Sequence, residues 1–113
     1  MRKRFLLCSA QGFGESFWQP PADIYRTRKG WLVKMDLAGV RLDDIHLSSV
    51  RNCLTVQGVR RDLIQEESYN YYSMEISYSQ FKRTVTLPVE LENHLLRMDY
   101  KDGMLFITIE KEE

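Results

Sequence analysis

The chain has little with which to do covalent chemistry. Its 113 residues include 2 cysteines, 2 histidines, 3 prolines and 6 glycines. Cys8 and Cys53 lie too far apart in sequence to suggest a disulfide framework, and compartment logic predicts two free thiols in a reducing cytoplasm. His46 and His94 each stand alone, and catalysis and metal binding both require partners within reach. No Gly-rich phosphate loop, Gly-x-Ser-x-Gly elbow or His-Glu-x-x-His motif is present. The Gly12-x-Gly14 pair lacks the preceding strand that a dinucleotide site needs. The chain therefore reads as a non-enzyme, with no catalytic residue, no metal site and no cofactor.

Charge of one sign is also missing. Lysine plus arginine and aspartate plus glutamate both total 16, which leaves no net field for nucleic acid or acidic lipid. The basic residues Arg26, Arg28 and Lys29, Arg60 and Arg61, Lys82 and Arg83 form short clusters and no stripe. Long apolar runs are absent too. The opening Met1-Arg2-Lys3-Arg4-Phe5-Leu6-Leu7-Cys8 imitates a signal peptide but falls short of the roughly 7–15 apolar residues of an h-region. Nothing approaches the roughly 20 apolar residues of a membrane span. The expectation is a soluble, cytoplasmic protein that binds neither nucleic acid nor membrane.

What is present is alternation. The length suits one domain, able to bury roughly two-thirds of its unfolded surface without a metal or disulfide. Residues 1–20, with Gly12, Gly14, Phe5, Phe13, Phe17 and Trp18, read as a flexible arm with aromatic residues. From Pro21 onward, short alternating stretches predict an all-β sandwich. Trp31, Val33, Met35 and Leu37 point one way, and Leu32, Lys34 and Asp36 the other. Ile45 and Leu47 form the next inward pair. An Arg51-Asn52 turn, with Asn52 supplying left-handed tolerance, leads to inward Leu54 and Val56 and outward Cys53, Thr55 and Gln57. Residues 89–98 fit helical spacing (Leu91, Leu95, Met98) and strand spacing (Leu96, Met98, Tyr100), and a short loop followed by a strand is the expected outcome.

Two later segments are the most informative. In Phe81-Lys82-Arg83-Thr84-Val85-Thr86-Leu87-Pro88, Phe81, Val85 and Leu87 share a face with Arg83. A guanidinium in that phase is costly unless paired, and Glu66, Glu67 and Glu75 are its candidate partners at a subunit interface. Asp102-Gly103 then starts a hairpin into the in-phase Leu105, Ile107 and Ile109. Between the strands, residues 59–80 are too long for an ordinary connection of about 4–6 residues. Their neck (Arg60, Arg61, Asp62, Gln65, Glu66, Glu67) reads as solvated, and Tyr69, Asn70, Tyr71 and Tyr72 read as strand. Such an excursion gains little by folding back. It gains a ladder by pairing with the edge near 22–27 of a second copy. Base stacking on these tyrosines is disfavoured because no basic groove accompanies them.

These residues resemble the alpha-crystallin domain of the small heat-shock proteins, which carries Phe-x-Arg-x-x-x-Leu-Pro and a later Gly-x-Leu turn. The resemblance spans about residues 18–111. It includes Trp18-Gln19-Pro20-Pro21-Ala22-Asp23-Ile24-Tyr25, Asp36-Leu37-Ala38-Gly39-Val40, Asp44-Ile45-His46-Leu47, Asn52 to Arg60 and Glu75-x-x-Tyr78-x-x-Phe81. The long excursion is similar to that of the plant and microbial branch, where it crosses to a partner subunit. The resemblance implies an immunoglobulin-like β-sandwich of two antiparallel sheets over 21–111, including a strand-exchange loop at 59–80. A short arm at 1–20 would precede it, and a truncated tail at 112–113 would follow.

The function implied is that of an ATP-independent chaperone that holds partly unfolded client proteins during stress. The assembly implied is a homodimer with Ile24, Tyr25, Tyr69, Tyr71, Tyr72 and Arg83 at its interface. Leu47, Ser49, Leu96 and Met98 would line a groove for a tail or a client. The family's usual tail carries Ile/Val-x-Ile/Val, whereas this chain ends Glu110-Lys111-Glu112-Glu113. The expectation is a dimer and little beyond, its groove open to clients or to the tails of longer, co-assembling relatives. Ala38, Ser79, Met98 and Glu110 also depart from the usual pattern. Two other readings stand beside the chaperone: a CS-domain-type co-chaperone adaptor, and a structural or coat protein reusing the domain.

Overall fold

The computed structural model describes residues 18–64 and 66–112. Seven strands run β1 Ala22–Arg26, β2 Gly30–Asp36, β3 Ile45–Val50, β4 Cys53–Val59, β5 Gln80–Thr86, β6 His94–Lys101 and β7 Met104–Lys111. Short 3-10 turns at Leu42–Asp44 and Leu91–Asn93 precede β3 and β6. One antiparallel sheet has the order β1-β2-β7-β6 and the other β3-β4-β5. The fold class is the expected all-β sandwich.

The alternating residues make the core as read. Val33, Met35, Leu37, Leu105, Ile107 and Ile109 from the larger sheet meet Leu54, Val56, Phe81 and Val85 from the smaller one, all buried. At about 25 cal/mol per Å2 of apolar surface removed from water, a closed set of this kind is the main stabilising term. Leu91 joins it from its 3-10 turn, so residues 89–98 are indeed a loop and then a strand. The β6–β7 hairpin turns at Asp102 and Gly103, with φ of 54° and 78°. Positive φ at both central residues suits the right-handed twist of the flanking strands.

The Arg51-Asn52 turn is built differently from the expectation. Arg51, not Asn52, takes the positive φ, at 58°. Asn52 is buried; its side-chain amide donates to the Leu87 carbonyl at 3.1 Å, and its own carbonyl accepts from the Leu87 N–H at 2.8 Å. A buried amide is retained where it satisfies an interior carbonyl. Cys53 faces outward as predicted, yet it is disulfide-bonded rather than a free thiol. Composition carries no information on which sulfurs a fold brings within bonding reach. Cys8 and the other residues of 1–17 lie outside the described residues.

The fold also begins before the expected boundary at residue 20. Trp18 forms a parallel bridge to Phe81, and Pro20 is fully buried. The Trp18 N–H donates to the Gln80 carbonyl at 3.0 Å and the Lys82 N–H donates to the Trp18 carbonyl at 3.2 Å. Those bonds close part of the outer edge of β5.

Replacing Asn52 with Ala removes the amide but leaves the Leu87 carbonyl buried. Loss of one buried hydrogen bond costs about 1–3 kcal/mol, so the melting temperature should fall by roughly 5–10 °C. A calorimetric midpoint equal to the parent's would show that the side-chain bond contributes nothing.

Candidate functional site

Antiparallel strands direct successive backbone groups to alternate sides, so the bonds a strand makes with one neighbour fix which groups face outward. On β1, Pro21 and Thr27 bond across to β2 (Asp36 N–H to Pro21 O at 3.1 Å, Thr27 N–H to Gly30 O at 2.9 Å). Counting inward from both, Asp23 and Tyr25 also face β2, and Ala22, Ile24 and Arg26 turn their N–H and C=O groups to the open edge. Ile24 and Tyr25 are 42% and 43% exposed, high for apolar residues in a strand. The edge expected near 22–27 is therefore open among the described residues.

β3 and β6 are the edges on the opposite side. By the same alternation Leu47 and Ser49 of β3, and Leu96 and Met98 of β6, point their backbone groups outward. Their side chains lie on the inner face: Leu47 stands beside Val56, Leu96 beside Ile109 and Met98 beside Ile107. Leu47, Leu96 and Met98 are half-buried against the core, and Ser49 is exposed. All four groove residues thus combine backbone groups unpaired among the described residues with positions on a partly covered inner face.

Among the described residues of 60–79 no strand forms within a single chain, and the strand expected at 69–72 is one that pairs with a second copy. The segment's local bonds are few: the Tyr69 N–H donates to the Glu66 carbonyl at 3.1 Å in a turn, and the Ile64 N–H to the Asp62 carboxylate at 3.0 Å. The excursion displays apolar side chains to solvent: Leu63, Ile64, Tyr69, Tyr71, Tyr72, Met74 and Ile76 are exposed, Tyr72 completely. A shallow, open hollow of about 880 Å3 lies along it, lined by residues including Asp62, Ile64, Tyr69 and Met74.

The neck of the excursion is not merely solvated, as the sequence reading held. The Arg60 guanidinium donates to the carbonyls of Ser77 (2.8 Å) and Ala38 (3.2 Å). Arg61 donates two bonds to the Asp44 carboxylate, at 3.0 and 3.3 Å. These bonds hold Asp44 below the usual carboxylate range. Gly58, one strand position inside the neck, approaches the Asp44 carbonyl and the Phe81 ring so closely that any Cβ would clash. No sequence signal marked Arg60 and Arg61, because charged residues after a strand usually are solvated.

Arg83 lies in the row Leu47–Val56–Arg83 on the inner face, as its phase required. It is half-buried, and among the described residues it donates to the Pro20 carbonyl at 3.3 Å and to no carboxylate. Glu66, Glu67 and Glu75 are exposed. Arg83 and the Trp18–Pro20 segment set β5 and β1 on one flank of the sandwich, opposite the β3/β6 groove. Tyr100 ties the end of β6 to the turn after β2, its hydroxyl within 2.8 Å of the Leu37 carbonyl and 2.7 Å of the Val40 carbonyl; burial pushes this phenol up.

No group of three or more His, Cys, Asp or Glu side chains suited to a metal occurs among the described residues. No helix among them is long and apolar enough to cross a membrane. A family model described as Hsp20/alpha crystallin family matches residues 23–113. The chain belongs to this family. It is 30% identical over 94 residues to small heat shock protein C2 of Rickettsia felis, a match covering 83% of this chain and 61% of that protein. It is 32% identical over 98 residues to spore protein SP21 of Stigmatella aurantiaca, covering 87% and 58%.

The alpha-crystallin architecture is also that of solved structures. Heat shock protein 16.0 from Schizosaccharomyces pombe aligns with a TM-score of 0.75 at 22% identity, over 85% of this chain and 89% of that one. A small heat-shock protein from Xylella fastidiosa, described as having a distinct high order structure, aligns with a TM-score of 0.69 at 23% identity, over 87% and 90%. These two likenesses show the fold. The chain spans about three-fifths of the length of the curated relatives it matches.

The Arg61–Asp44 pair should give the neck a pH dependence of defined sign. A carboxylate whose pKa is lowered on folding stabilises fully above its ordinary pKa of about 4, and that contribution fades as pH falls through the lowered value. The urea midpoint of the parent should therefore exceed that of Asp44→Asn at neutral pH, and the gap should close below about pH 4. A gap that stays constant down to about pH 2 would show that the pair is not the source.

Proposed function

We propose that this chain is an ATP-independent holdase that captures partly unfolded proteins before they aggregate. The observation that carries the reading is the open β3/β6 groove, where half-buried Leu47, Leu96 and Met98 lie beside outward backbone groups. An extended apolar segment of a client gains ladder bonds and apolar contact together at such a site. Binding of this kind needs no nucleotide, because exposed edge and apolar surface supply the attraction. Family membership points the same way.

The active unit in this reading is a strand-exchanged homodimer. The exposed tyrosines Tyr69, Tyr71 and Tyr72 are carried to β1 of a second copy, where Ala22, Ile24 and Arg26 offer unpaired backbone and Ile24 and Tyr25 offer apolar contact. Half-buried Arg83 sits on the same flank, and a carboxylate of the partner copy, such as Glu66, Glu67 or Glu75, pairs with it in this reading. The groove on the far side remains open to clients or to tails of longer relatives. A cytoplasmic setting fits clients of this kind.

Turbidity of a heated thermolabile enzyme should fall as this protein is added in increasing molar ratio, equally with and without ATP. No protection at any excess, or protection only with ATP, would sink the holdase reading.

Deletion of residues 65–72 should convert dimers to monomers in sedimentation. A peptide with an Ile-x-Ile pattern should shift the amide signals of Leu47 and Met98 and leave those of Ile24 and Tyr25 in place. A deletion variant that stays dimeric refutes the exchange, and shifts confined to β1 refute the groove.

A further inference from the structure

Arg60 is the first residue after β4, and it touches segments that chain order keeps far apart. Its N–H donates to the Ser79 carbonyl at 3.0 Å, joining the outgoing and returning limbs of the excursion. Its guanidinium donates to the Ser77 carbonyl on the returning limb and to the Ala38 carbonyl in the turn after β2. The same group lies over the Trp18 ring, 3.9 Å from the centroid. Trp18 is held there by its two bonds to β5 and by an edge-on contact with Phe81 at 5.7 Å between centroids. Arginine is suited to this position, since its planar fork can stack on a ring while its edge donates to separate acceptors.

We propose that Arg60 is the positioning residue of the exchange excursion, and that it makes dimer strength depend on whether Trp18 is docked on β5. The proposal rests on the strand-exchange reading above. One side chain holds the returning limb, and one ring covers that side chain. Undocking Trp18 opens the guanidinium to water, which competes for the bonds that aim the excursion. The coupling runs both ways by linkage: a partner that orders the excursion favours docked Trp18 to the same degree. The chain segment ahead of Trp18 thereby gains a means of loosening or tightening the dimer without touching the exchanged residues.

The test compares the parent with Trp18→Ala, Arg60→Lys and the double variant, each as the full chain, by sedimentation equilibrium well below the melting temperature. Lysine keeps the charge but loses the fork and the stack. Each single variant should raise the dimer dissociation constant roughly tenfold, as loss of a stacked cation with its bonds requires. The double variant should do no more than either, because both remove the same contact. Trp18→Phe, which keeps a ring, should restore most of the parent value. A lowered melting point with an unchanged dissociation constant, or single effects that multiply to roughly a hundredfold, would overturn the proposal.

If deletion of residues 65–72 leaves the protein dimeric, the exchange reading fails by itself. The Arg60 amide then decides the positioning claim. Faster hydrogen exchange there in both Trp18→Ala and Arg60→Lys sustains it, and unchanged exchange overturns it.

Discussion

Backbone hydrogen bonds alternate from side to side along every strand, and in a finite sheet the outermost strands are left with half of theirs unmet. Closing a sandwich of four and three strands around one apolar core leaves such edges at β1, β3, β5 and β6. This constraint organises the rest of the molecule. The chain before β1 covers part of β5, through the Trp18 bonds to Gln80 and Lys82. β1 stays open on that flank. On the other flank β3 and β6 stay open together, with core-facing leucine and methionine side chains between them. An edge covered by its own chain has its backbone groups met, whereas an open edge still presents them.

The core was legible in the sequence because a period of two survives translation into structure almost unchanged. Val33, Met35, Leu54, Val56, Leu105, Ile107 and Ile109 are buried as their spacing required. The Asp102-Gly103 hairpin was legible for a different reason, since few residues tolerate its dihedrals. Edges were legible only in part. Alternation says which way Leu47 or Met98 faces, but not that β3 and β6 are terminal strands; topology decides that.

Polar groups that act at a distance were the least legible. Asn52 looked like a turn residue and is an interior clasp on Leu87. Arg60 and Arg61 looked like solvated charges and are the fastening of the neck. In each case the partner is at least seventeen positions away in sequence (Arg60 to Ser77, Arg61 to Asp44, Asn52 to Leu87). Local pattern has no access to such pairs. Arg83 shows an intermediate case: its phase was read correctly, and its bond to the Pro20 carbonyl, sixty-three positions away, was not legible.

The fastened neck has a consequence for what can vary. Arg60 and Ser79 are joined by a backbone bond at the root of the excursion, so its two ends remain together whatever lies between them. Extending a loop whose ends are already fixed is inexpensive, about 0.6 kcal/mol for each doubling of its length. The sandwich is thus insulated from the content of residues 62–76. Chains with the same core could therefore carry excursions of different length and composition and keep much the same melting behaviour.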